Sequence, residues 1–84
     1  MLNQMKRVLE LCVKISTKTK ADCFFGYDPH CDSYHVSLYR EGWYEGADAE
    51  WIDMVTKCGA HNLDRTIVRL KEIYKVLKEK ENGK

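Results

Sequence analysis

Hydrophobic positions along this chain follow two different periods. Over residues 2–19, Leu2, Met5, Leu9 and Cys12 recur at helical spacing, and Val8 and Ile15 widen the stripe. Lys6, Arg7, Glu10, Lys14 and Lys18 fall mostly off it, so the segment predicts an amphipathic helix. The polar run from Ser16 to Lys20 ends that pattern. From Asp22 to Arg40 the period drops to two. Aromatic and β-branched runs flank Asp28-Pro29-His30-Cys31-Asp32-Ser33, a cluster of turn formers. This predicts a β-hairpin with strands over about 21–28 and 33–41. Pro29 lacks a backbone donor and suits the turn rather than a strand. Pairing Tyr27 with Tyr34 sets Phe25 opposite Val36 and Cys23 opposite Leu38, all on one face. Phe24, Gly26, His35, Ser37 and Tyr39 occupy the other face. One apolar and one mixed face predict an antiparallel sheet covered on one side.

Residues 49–57 fit both periods. Trp51, Met54, Val55 and Cys58 match a helical stripe, while the Trp, Ile, Val and Thr content favours a strand. A hairpin alone is weakly stable, and a third strand completes a usable sheet. The segment is therefore read as a strand, with Ile52 and Met54 on one face and Trp51, Asp53 and Val55 on the other. Gly42 and Gly46 mark the loop before it. Asn62 is the expected N-cap of a last helix from Leu63 to about Glu81. Its stripe is Leu63, Ile67, Leu70, Tyr74 and Leu77, with Ile73 beside it. Lysines 75, 78 and 80 complement the negative helix end, and residues 79–84 are expected to fray. The resulting fold is a two-layer α+β domain of order α-β-β-β-α. Both helices cover one face of a three-stranded antiparallel sheet. Phe24, Tyr39 and Trp51 should show on the open face, with Trp43 near its edge.

Composition narrows the partners. The 84 residues suggest one domain, spanning 1–84. A chain of this size buries only about 60–65% of its unfolded surface, so a metal, a partner or dimerisation would help it. Fourteen basic and 13 acidic residues give a net charge of +1, which argues against a simple polybasic nucleic-acid binder. The distribution is uneven. Glu41, Glu45, Asp48, Glu50 and Asp53 form an acidic stretch without a base, and the two ends are lysine-rich. The first residues lack a long apolar core of the signal-peptide kind. No apolar run approaches the ~20 residues that span a bilayer. A cytoplasmic location is expected, with the four cysteines reduced or metal-bound. Cys12 and Cys23 fall on core faces and read as packing residues.

The best constellation for chemistry is a Cys/His set. His30 and Cys31 lie in the hairpin turn, and Cys58 and His61 follow strand three. Strand three runs antiparallel to strand two, so all four should converge at one end of the sheet. Two thiolates and two imidazoles suit a structural tetrahedral zinc, with His35 as a spare ligand. No Gly-rich phosphate loop, serine elbow or His-Glu-x-x-His appears, so no enzyme is expected. Aromatics exposed on a sheet can stack bases, but such proteins surround them with basic residues. Here Trp43, Tyr44 and Trp51 sit among Glu45, Asp48 and Glu50. That surface suits a basic groove on a protein that handles nucleic acid. Two rivals remain: a nucleic-acid-binding module that uses the lysines of the helices, and a structural or assembly subunit of a mobile element.

The hairpin run Phe-Phe-Gly-Tyr-Asp-Pro-His, followed by Gly42-Trp43, resembles hairpins of small accessory proteins encoded by phages and prophages of Gram-positive bacteria. Anti-CRISPR proteins belong to that class. The resemblance implies a stoichiometric inhibitor that binds a CRISPR effector nuclease and blocks its nucleic-acid channel in the host cytoplasm. The class shares no common motif, so it assigns no residue a role.

Overall fold

A computed structural model describes residues 2–57 and 59–82, the side chain of residue 82 excepted. The order is α1 (Leu2–Lys18), β1 (Asp22–Asp28), β2 (Ser33–Tyr39), β3 (Glu50–Val55) and α2 (Ala60–Asn82). The strands form one antiparallel sheet in the order β1-β2-β3. α1 packs on α2 and β1, and α2 packs on β3, so both helices cover the same face.

The hairpin adopts the register that the alternation implies. Tyr27 pairs with Tyr34, Phe25 with Val36 and Cys23 with Leu38. Tyr34, Val36 and Leu38 are fully enclosed beneath the helices. The turn is built by Asp28, whose carboxylate accepts the His30 N–H at 3.0 Å, and by Asp32, which takes a left-handed φ of 51°. A short acidic side chain that bonds the backbone two residues on tolerates both roles. At the other end, Gly42 and Gly46 adopt φ of 90° and 88°, and the tight turns there require them. The Gly42 N–H closes on the Tyr39 carbonyl, and the Trp43 N–H donates to Asp22 at 2.7 Å.

Four expectations are corrected. The buried stripe of α1 is Val8, Leu11, Cys12 and Ile15, whereas Leu2 and Leu9 face solvent. The i, i+3, i+4, i+7 set that includes Leu11 gives a continuous stripe, and one helix face can seat only one such set. β3 carries a bulge at Ile52, opposite the Val36–Ser37 step. The extra residue resets the alternation. Ile52 and Asp53 both turn inward, while Trp51 and Met54 share the open face. α2 starts at Ala60, with the Leu63 N–H bonded to the Gly59 carbonyl, so Asn62 lies inside the first turn. Its side-chain amide donates instead to the Lys57 carbonyl at 3.1 Å. Finally, residues 79–82 are helical. Glu81 accepts the Lys20 N–H at 3.0 Å, which ties the end of α2 to the α1–β1 link.

Candidate functional site

The candidate residues fall toward the two ends of the sheet. Asp22, Tyr39 and Glu50 mark one; Asp28, Ser33 and Val55 mark the other. At the first end, the loop after β2 presents Trp43 and Tyr44, and β3 opens with Trp51. These three are 58%, 61% and 55% exposed, well above what a packing role requires. Trp51 continues onto the open face. Its ring meets the His35 imidazole edge-on at 5.9 Å, and Phe24 meets Tyr39 edge-on at 5.5 Å. Edge-to-face pairs of this kind favour a defined ring orientation. Met54, exposed beside His35 in the register, extends the surface. The sequence reading put Met54 on the opposite face, because a bulge leaves no mark in a two-residue period.

His35 lies directly over Gly26, its cross-strand partner, where any Cβ would collide with the ring. Glycine there gives the imidazole a seat against the sheet. Gly26→Ala should therefore lift His35 away from Trp51 at a stability cost of about 1 kcal/mol. In a Trp43→Phe background, the fluorescence of Trp51 should change on that substitution. Unchanged emission would show that the two rings do not depend on Gly26.

The acidic stretch is less acidic in three dimensions. Glu41 pairs with Lys20 at 2.9 Å, a fully solvated contact. Glu50 makes a two-pronged pair with Arg40, at 2.7 and 3.0 Å, and the guanidinium holds the Glu50 carboxyl below its usual range. Glu45 and Asp48 are exposed, and neither makes an ion pair among the described residues. They are the acids free to meet a partner's cations. Between α2 and β3 a cleft of about 340 Å³ is lined by Arg40, Glu50, Trp51, Ile52, Arg69 and Ile73. The aromatic ridge thus stands beside a hollow that charged side chains, Glu72 among them, share with apolar ones.

Asp53 is 8% exposed and belongs to a polar chain that the sequence reading missed. Its carboxylate accepts a hydrogen bond from Thr66 and one from Arg69 Nη1 at 2.9 Å. Arg69 also donates to the Ile52 carbonyl at 2.7 Å. The single Thr66 proton points to the carboxylate, so the buried Tyr34 hydroxyl donates to Thr66 Oγ1 at 2.7 Å. These bonds brace α2 against β2 and β3. An aspartate inside a strand is unfavourable unless something pairs with it, and that was the available signal.

The opposite end carries the hairpin turn of the expected Cys/His set. The Tyr34–Val55 register brings the end of β3 beside the start of β2, next to the turn that carries His30 and Cys31. His61 lies in the first turn of α2. Cys58 is outside the described residues, and among those described no three His, Cys, Asp or Glu side chains gather as a metal cage. The Asp28 carboxylate beside Cys31 pushes the thiol pKa up. His35, the spare ligand, is committed to Gly26 and Trp51 on the open face.

Comparison with protein-family models, with curated proteins and with solved structures finds no match to this chain. Among the described residues, no helix is long and apolar enough to cross a membrane.

Proposed function

We propose that this protein acts by binding rather than turnover, as an inhibitor of the anti-CRISPR type that occupies a nucleic-acid groove on a CRISPR effector nuclease. One observation carries the reading: Trp43, Tyr44 and Trp51 stand exposed at one end of the sheet beside Glu45 and Asp48, which make no ion pair among the described residues. Aromatic anchors with acids around them complement a basic, nucleic-acid-binding groove. A guide-loaded effector nuclease mixed with this chain should co-elute with it and lose target cleavage at stoichiometric amounts. Neither effect, together with a gel shift of bare DNA or RNA by this chain, would transfer the reading to a nucleic-acid-binding module.

The reading includes a structural zinc held by His30, Cys31, Cys58 and His61. The register that brings the end of β3 beside the turn carrying His30 and Cys31 supports it. Elemental analysis of untagged protein should then find about one zinc per chain. Chelator should lower the melting temperature, because such metals couple to folding. Metal-free protein whose melting is unchanged by chelator would remove zinc from the proposal.

A further inference from the structure

Cys12 and Cys23 both pack in the core. α1 delivers Cys12 to the core at 2% exposure, and β1 delivers Cys23 to the edge of the same core, only partly buried. Ser16, one turn after Cys12, holds the two together. Its hydroxyl donates to the Cys12 carbonyl at 2.9 Å and accepts the Cys23 N–H at 2.9 Å. Both side chains enter the same core beneath the helices. Cys12 lowers the pKa of the neighbouring Cys23, while Cys23 and burial raise that of Cys12. Cys31 is the internal contrast. It is exposed, but the Asp28 carboxylate beside it raises its pKa. Thiolate character, rather than exposure alone, selects the reactive cysteine. A partly exposed thiol of lowered pKa beside a second cysteine is the arrangement that redox-responsive pairs use.

We propose that Cys12 and Cys23 form a redox-active pair, in which Cys23 attacks a small-molecule disulfide and Cys12 resolves the product into a disulfide joining α1 to β1. The Cys23 thiolate attacks one sulfur of glutathione disulfide. A mixed Cys23–glutathione disulfide forms, and one glutathione thiolate leaves and takes up a proton. Cys12 then gives its proton to solvent and attacks the Cys23 sulfur, expelling the second glutathione. Two protein thiols become one disulfide, and glutathione disulfide is reduced to two molecules of glutathione. The bond would close the segment between the helix and the first strand, on the covered side of the sheet.

The test begins with the unaltered chain, folded at neutral pH, treated with glutathione disulfide, quenched with acid and mapped by mass spectrometry. The expected product is lighter by two hydrogens, with a Cys12–Cys23 linked peptide that forms before any adduct on Cys31. In a second chain bearing C31S and C58S, adding C12S should stop the reaction at one glutathione on Cys23. Adding C23S instead should leave Cys12 unmodified. Glutathione on Cys31 with Cys12 and Cys23 both free would overturn the proposal, and so would a C12S chain that gains no adduct while circular dichroism shows it folded.

Discussion

Asp53→Ala is expected to destabilise the fold by about 2–4 kcal/mol in urea unfolding, although the residue lies at the edge of a three-stranded sheet. The magnitude comes from what the carboxylate binds. It accepts from Thr66 and from Arg69, and it is almost completely covered. Hydrogen bonds to a charged partner contribute about 1.5–3 kcal/mol, and leaving a buried group unpaired costs more than the bond itself contributes. The ion pair is one-sided, since the Arg69 side chain is 53% exposed against 7% for Asp53. Arg69→Ala should therefore cost less than Asp53→Ala, because water can replace the guanidinium. Thr66→Val removes the hydroxyl that links Tyr34 to Asp53 and should cost a similar amount. The double variant should cost less than the sum, since both changes break one chain of bonds. Full additivity would mean that the chain does not act as a unit. A loss under about 0.5 kcal/mol for Asp53→Ala, the range of ordinary surface changes, would refute the bracing role.

The hairpin was legible because three independent signals agreed. The turn formers at 28–33, the alternation on both sides and the aromatic pairing each implied the Tyr27–Tyr34 register that forms. β3 was legible as a strand but not in its facing. One extra residue at Ile52 inverts every later side chain, and nothing local distinguishes a bulged from a regular strand. In α1, too many apolar positions competed for one stripe, and the sheet decided between them. The aromatic part of the candidate surface was legible, since Trp43, Tyr44 and Trp51 are large residues in a loop and at a strand start. Its charge was misjudged. Lys20 and Arg40 are distant in sequence from the acids they neutralise, and only the fold brings them to Glu41 and Glu50. Asp53 left the surface altogether, turned inward by the bulge at Ile52.

That redistribution of charge sharpens the expected outcome for binding. Trp51→Ala should weaken the proposed complex with an effector nuclease by about 2 kcal/mol, or about 30-fold in Kd, as aromatic anchors near an interface centre do. The fold should survive, because Trp51 is more than half exposed and its edge contact is with His35, itself on the open face. Trp43→Ala should act in the same direction; its backbone N–H still reaches Asp22 after truncation. Reversing Glu45 and Asp48 to lysine should weaken binding by a smaller amount that grows as salt is lowered, since these acids act through a screened field. Reversing Glu50 should behave differently, because it also removes the partner of Arg40. Calorimetry at two ionic strengths separates the contributions: the Trp51 loss should hold at both, and the Glu45/Asp48 loss should shrink at the higher. An effector complex indifferent to Trp51, Trp43 and the Glu45/Asp48 reversal would exclude this end of the sheet as the contact. The surface to examine next would be the exposed face of α1, where Arg7, Lys14 and Lys18 flank Leu9 and Val13.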